Sequence, residues 1–285
     1  MTTTTPSFPL SLRPTFTPRW GVWGLRAAAL SYLMLFALVP VIVVSVQGLR
    51  GGWDAFWLSI SRPAAINAMW LSIWTAAVMA VINAIMGTLT AYVLVHYHFP
   101  GKGLLNILID IPFSVPALVT GVMLILLYGP QTVIGKFFEK ELGVKIIFAS
   151  PGIILALLFI GYPFVVRAVQ PVLMSLEASQ QEAALTLGAS PWRTFRRVIF
   201  PAILPAVLTG ALLSFARALG EFGSAVIISG NIPMRTQTAT VYVYTQVENG
   251  NMAAASSISC LLLLLAFALT LAADRIIRRT HREHH

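Results

Sequence analysis

The 285-residue chain is 57% hydrophobic and only 10% charged, with a formal net charge of +9 at pH 7. A soluble chain carries roughly 25% charged residues, so this composition excludes a function that needs a soluble globular core. The basic balance suggests nucleic acid, but the placement of the charges argues against that class.

About 20 apolar residues in a helix cross the ~30 Å hydrocarbon layer of a bilayer, and six runs reach that length. Residues 1–24, rich in Thr and Pro at their start, read as a poorly ordered cytoplasmic arm. They do not read as a cleavable secretory signal, because the apolar run that follows is too long for one. The first run is Ala27–Val46 and the second is Ala64–Val95. The third is Leu104–Ile109, continuing past Asp110 through Ile111–Tyr128. The fourth is Ile146–Val166, and the fifth, Val198–Ala216, continues past Arg217 and Glu221 to about Ile228. The sixth is Asn249–Ala273. None leaves a polar face for water. The expected fold class is therefore all-α integral membrane, with six transmembrane helices in one domain over residues 25–277 and a cytoplasmic tail at 278–285.

Six spans put both termini on one side. Of the 19 Lys and Arg, 11 fall on that side, among them Lys102, Arg193, Arg196, Arg197 and Arg275, and 6 on the other. The positive-inside rule then makes both termini cytoplasmic. The basicity records orientation, the lipid bilayer is the partner it implies, and nucleic acid is not. Cys260 has no second cysteine to pair with, so an internal disulfide is excluded.

An ionised side chain near the bilayer centre costs at least ~2.5–3.5 kcal/mol on insertion scales, which singles out Asp110, Arg167, Arg217 and Glu221. Two acids and two bases allow a mutually paired set, and Asp110 and Arg167 are read near helix ends, where snorkelling lowers the cost. In the fifth run Gly210, Ser214, Arg217, Glu221 and Ser224 recur at spacings of four, three, four and three, which places them on one helical face. Such a stripe lines a path for a polar or anionic solute, or else it is an Arg217–Glu221 pair with packing serines. The third run holds Asp110-Ile-Pro112-Phe-Ser114-Val-Pro116, where each proline frees a backbone carbonyl and breaks or kinks the helix. Pro163 and Pro171 are read as bending the fourth run near Arg167. The His96-x-His98 pair has no acidic residues at ligand spacing, so no metal site is expected, and no catalytic constellation is present.

Between the fourth and fifth runs, residues 173–202 form the longest connection on the basic side. Ser179-Gln-Gln-Glu182 has capping-box spacing, and Gly188 can end that helix in the left-handed conformation. Ser190-Pro191 supplies an N-cap and first residue for a second helix. This helix–turn–helix is either a membrane-surface hairpin or a docking lever for a cytoplasmic partner.

Glu182-Ala183-Ala184, then Gly188, then Pro201 resembles the EAA-loop pattern of ABC-importer permeases, EAA-x3-G-x9-I-x-L-P. Val198 stands at its Ile position and Phe200 at its Leu position. Over about residues 60–275 the chain resembles the sulfate/thiosulfate permease group, and within it the T-type subunit. The resemblance is carried by Phe99-Pro-Gly-Lys-Gly103, Asp110–Pro116, Pro163–Val172, Phe215-Ala-Arg-Ala-Leu-Gly-Glu-Phe-Gly223 and Ser229-Gly-Asn-Ile-Pro233. Molybdate permeases share the last two stretches, so a molybdate or tungstate permease is the alternative. A membrane-embedded enzyme or an ion-driven carrier is the alternative from other classes.

The resemblance implies a type I importer permease fold in a bacterial cytoplasmic membrane. It implies a related W-type permease subunit, or a second copy of this chain, beside it. Two cytoplasmic ATPase subunits and a periplasmic or lipid-anchored sulfate-binding protein complete the expected assembly. ATP and Mg would be bound by the ATPase subunits, since this chain has no G-x4-G-K-[ST] phosphate loop. Glu182, Ala183, Ala184, Gly188 and Pro201 are the expected ATPase-coupling residues. Ser114, Thr120, Arg167, Ser214, Arg217 and Ser224 are the candidate donors for a doubly charged oxyanion. Glu221 would repel the anion and is read as holding Arg217 or as a gate contact.

Overall fold

The computed structural model describes residues 19–176, 186 and 188–282, and among them every regular element is helical. The contacts divide the chain at Val43–Val44. In the first unit, α1 (Arg19–Leu33) leads through a π-helical turn (Met34–Leu38) into α2 (Val39–Leu49), which crosses the division. Trp23–Leu49 has the length and hydropathy of one span.

The second unit continues with α3 (Gly52–Ile60), α4 (Pro63–His96), α5 (Lys102–Ser114) and α6 (Ala117–Tyr128). Next come α7 (Val133–Glu141), α8 (Ser150–Ser175), α9 (Pro191–Thr194) and a second π-helical turn (Phe195–Ile199). It closes with α10 (Phe200–Leu219), α11 (Gly223–Ser229), α12 (Ala239–Glu248) and α13 (Met252–Arg282). Pro63 opens α4 where its missing N–H costs nothing. Its 34 residues reach about 51 Å, well beyond the hydrocarbon layer.

At the centre α4, α8 and α10 pack on one another, and small residues let their backbones meet. A Cβ at Gly210 would lie 2.8 Å from Val165 Cα, one at Gly87 2.9 Å from Val165 Cβ, and one at Gly161 2.5 Å from Ser214 Oγ. In lipid, where apolar transfer gives little drive between helices, this close approach supplies the van der Waals contact that holds them. Two apolar clusters mark the ends of the bundle. Leu94, Val169, Leu173, Ile199 and Ile203 gather at one end, and Leu71, Ile146, Ile147, Ile153 and Ile228 at the other. The first end, where α8 stops and α9 begins, is called the near end.

The structure refines two sequence expectations. The third run is two helices, α5 and α6, bent by 113° across Val115 and Pro116. Because α4 and α8 both finish at the near end, this bent pair must carry the chain to the far end, and it counts as the crossing that brings the total to six. The fifth run is not one helix to Ile228. It stops at Leu219, and Gly220–Phe222 separate it from α11. Glu221 and Ser224 therefore do not continue a helical stripe, and their alignment with Gly210, Ser214 and Arg217 is corrected on that ground. Pro163 and Pro171 both sit inside the 26-residue α8, which runs through them without a break.

Candidate functional site

Glu182, Ala183 and Ala184 lie outside the described residues, as does Ser179. Gly188 has φ +79°, in the left-handed region that a Cβ disfavours. Ser190 is extended and its Oγ accepts from the Arg193 N–H at 3.3 Å, so it caps α9, and Pro191 is the first helical residue. The second π-turn follows at once. Pro201 has no N–H to offer the Arg197 carbonyl and its ring would crowd that turn. A wider turn just before it relieves both problems, and the Phe200 N–H bonds back to Phe195 O. The same arrangement recurs at Met34–Leu38, two residues ahead of Pro40. Pro201 thus lies inside the long helix, while the ring of Phe195 meets Tyr92 edge-on at 5.6 Å and stacks on Trp192 at 5.7 Å. Tyr92 in turn stacks on His96 at 4.2 Å. Aromatic packing therefore ties α9 and the π-turn to the end of α4.

The first charged cluster lies in the same half of the bundle. Arg167 is two turns from the end of α8, about 12 Å along the axis. It donates from Nε to Asp110 Oδ1 at 2.8 Å and from Nη2 to Asp110 Oδ2 at 2.5 Å. Nη2 also reaches the Asn106 carbonyl at 3.0 Å, and Nη1 reaches Gln170 Oε1 at 2.7 Å and Asn106 Oδ1 at 3.4 Å. A guanidinium has five N–H donors, and all five are engaged. Arg167 is therefore a clamp between α5 and α8, with no donor left for a solute. Sequence reasoning missed Asn106 and Gln170. Their signal was present, since Asn106 is four residues before Asp110 and Gln170 three after Arg167, on shared helical faces.

The second cluster is built around the break after α10. Glu221 is buried, with its side chain 2% exposed. Its Oε1 accepts from Ser224 N at 3.0 Å and Ser224 Oγ at 2.9 Å, capping α11. Its Oε2 lies 2.9 Å from Arg217 Nη1, and its backbone carbonyl accepts from Thr240 Oγ1 at 2.6 Å. Glu221 thus fixes the end of α10, the start of α11 and α12 together. Arg217, 40% exposed, makes no other polar contact with the described residues. Its head borders a cleft of about 140 Å³ with Pro112, Phe113, Val115, Ala117, Ile160 and Phe164. That cleft lies at the break between α5 and α6, where Ala117 opens α6 and no side chain of the N-cap residue Pro116 bonds its first N–H groups. A Cβ on Gly223 would lie 3.0 Å from Leu118 N, so only glycine lets α11 approach the start of α6 so closely.

The remaining candidates have different surroundings. Ser114 is exposed on the last turn of α5, beside the break. Thr120 is buried in the first turns of α6, and its Oγ1 has no hydrogen-bond partner among the described residues. Ser214 is fully buried and donates to Met79 Sδ at 3.2 Å, the same sulfur that Asn83 Nδ2 approaches at 3.1 Å. That cluster ties α4 to α10 inside the core, away from the cleft. Ser224 is buried and committed to Glu221. Of the seven sequence candidates, the structure brings Arg217, Glu221 and Ser224 together beside the break that Ser114 flanks.

Residues 83–282 match the family described as "Binding-protein-dependent transport system inner membrane component". The Chlorokybus atmophyticus protein named "Probable sulfate transport system permease protein cysT" is 42% identical over 231 residues, covering 81% of this chain and 79% of that one. The Synechocystis sp. protein named "Sulfate transport system permease protein CysT" is 41% identical over 210 residues, covering 74% and 73%. Among solved structures, a bacterial alginate ABC transporter in complex with an alginate pentasaccharide-bound periplasmic protein has a chain similar at TM-score 0.75 and 16% identity, over 91% of this chain and 94% of that one. An inward-facing methionine ABC transporter has one at TM-score 0.56 and 20% identity, over 75% and 95%.

Proposed function

Because the chain belongs to the family of binding-protein-dependent transport system inner membrane components, we propose that it is the sulfate-conducting permease subunit of an ATP-driven importer in a bacterial cytoplasmic membrane. The substrate rests on the relatives, which carry sulfate permease names at 42% and 41% identity in the two described above. The observation on this chain that supports it best is Arg217. Its guanidinium is held by one buried carboxylate yet borders a cleft with donors to spare. A tetrahedral dianion needs donors more than a matched cation, and Arg217 with the opening N–H groups of α6 supplies both.

Around this chain the proposed assembly has a related W-type permease subunit or a second copy. Two cytoplasmic ATPase subunits bind ATP and Mg, and a periplasmic or lipid-anchored binding protein delivers the anion. The segment ending at Gly188 docks on an ATPase subunit, and both termini face the cytoplasm. Arg167 holds the bundle rather than the solute.

The test is reconstitution of the complex in vesicles with the binding protein outside and ATP inside. ATP-dependent uptake of labelled sulfate, with molybdate a poor competitor, is the expected result. Molybdate uptake in place of sulfate would transfer the assignment to the molybdate group. Uptake of either anion without ATP would remove the importer reading.

A further inference from the structure

We propose that α3 lies flat in the lipid headgroup layer at the far end of the bundle, with Trp53 and Trp57 as its membrane anchors and Arg50 and Arg62 facing lipid phosphates. The level of α3 follows from the chain. α2 ends at Leu49 and α4 starts at Pro63, so α3 spans the short connection between two membrane crossings. The opposite end of α4 carries Tyr92, packed against Phe195 of the second π-turn. Pro63 and α3 therefore stand at the surface away from that segment.

α3 has a covered face and an exposed one, joined where the Trp53 ring stacks on Phe56 at 5.4 Å. Phe56 and Ser59 are buried and Ile60 packs into the cluster of Ala65, Ala68, Tyr242 and Ile258, so this face is covered by protein. The other face carries Trp53, 68% exposed, Trp57, 62% exposed, and Leu58, 67% exposed, with Asp54 between them. A helix at a water-facing surface would bear charges there, not two indoles four residues apart. Indole is apolar over its rings and donates one hydrogen bond, which is why it concentrates at the headgroup level. The apolar surface is continuous, since Ile66 and Trp70 are also exposed in the first turns of α4. Arg50 and Arg62 bracket the helix, both exposed and neither in an ion pair with a described residue. Guanidinium groups at that level match lipid phosphate in charge and fork geometry.

Held in this way, α3 fixes the depth of α4, whose length exceeds the hydrocarbon thickness and alone leaves its height undetermined. This proposal is independent of which solute the protein carries. It is tested on the full chain in its complex, in nanodiscs of phosphatidylethanolamine and phosphatidylglycerol. Nitroxides are attached at Trp57→Cys and, as a milder change, at Leu58→Cys, with Cys260→Ala removing the native thiol. Collisions with oxygen are expected to exceed those with a water-soluble nickel chelate, at a depth near the lipid phosphates. Chelate collisions typical of open water would overturn the proposal. So would exclusion of both reagents, which would show that a partner protein covers the face. A second measurement leaves the fold undisturbed. Lipids brominated near the glycerol end should quench native tryptophan fluorescence, and Trp53→Phe with Trp57→Phe should remove a part of that quenching. An unchanged quenched fraction would also overturn it.

Discussion

Removing the charges at Arg217 and Glu221 one at a time and together separates a solute-facing role from a packing role. Arg217→Leu leaves the Glu221 carboxylate buried with only Ser224 as donor. Breaking a buried pair costs ~3–5 kcal/mol, and the lower end applies because Arg217 is 40% exposed. Glu221→Gln keeps an acceptor for Ser224 N and Oγ, and the Arg217 left behind retains access to the cleft. The double change Arg217→Leu with Glu221→Gln has neither charge and an intact cap, so it should regain most of the loss. Arg217→Leu with Glu221→Leu should not, since it strands two donors of a fully buried Ser224 at ~1–3 kcal/mol each. Thermal unfolding of the assembled complex measures these differences. Uptake of labelled sulfate at limiting concentration then measures the path. One hydrogen bond to a charged group is worth ~1.5–3 kcal/mol, so the stable double variant should transport about 10- to 100-fold less at equal assembly. Full uptake in that variant would refute a path role for Arg217 and leave a structural pair. Wild-type stability in the Leu–Leu variant would refute the capping argument.

Gly188→Val should insert normally but lose coupling, because a β-branched residue at φ +79° costs ~1–2 kcal/mol or more; ATPase stimulation and uptake measure this, and wild-type values would remove the turn from the mechanism. Asp110→Asn should lower the thermal midpoint of the complex by breaking the Arg167 clamp, and Arg167→Lys should not substitute, since a point ammonium cannot bridge Asp110, Asn106 and Gln170 together. Cysteine at Glu139, in a Cys260→Ala background, should react with an impermeant reagent from the periplasm while cysteine at Arg196 should not; the reverse pattern would invert the orientation.

The helical membrane class and its crossings are legible because hydropathy is a local property. Ser190, Pro191 and Gly188 are legible for the same reason, since a cap or a left-handed turn is specified by the residue that adopts it. The halt at Gly220 is not. Apolar sequence continues on both sides of it, and one glycine in a helical run is no certain terminator. What ends α10 is tertiary: Glu221 turns inward to cap α11 while its carbonyl takes the hydroxyl of Thr240, 19 residues ahead. The π-turns fall between these cases. Pro40 and Pro201 announce a disturbed turn, but whether the helix breaks, kinks or widens depends on what packs around it. Here Phe195 is held by Tyr92 and Trp192, and the helix continues into α10.

Arg167 and Arg217 show why the candidate site was only half readable. Both are arginines in apolar helices with an acid partner, Asp110 in another run for Arg167 and Glu221 four residues on for Arg217, and by insertion cost they are equivalent. Their difference is the number of donors left after the protein has taken its share. Asp110, Asn106 and Gln170 take all five from Arg167, because α5 and α8 lie against each other and bring side chains 57 and 61 residues apart within hydrogen-bond distance. Glu221 takes one from Arg217 and is itself divided between the guanidinium and Ser224. The break at Val115 and Pro116 bends the pair by 113°, and the cleft there is bordered by Arg217. The prolines of the third run therefore matter to the fifth. By bending one helix pair they keep an arginine on another from being buried, and this leaves it with the donors that a passing oxyanion requires.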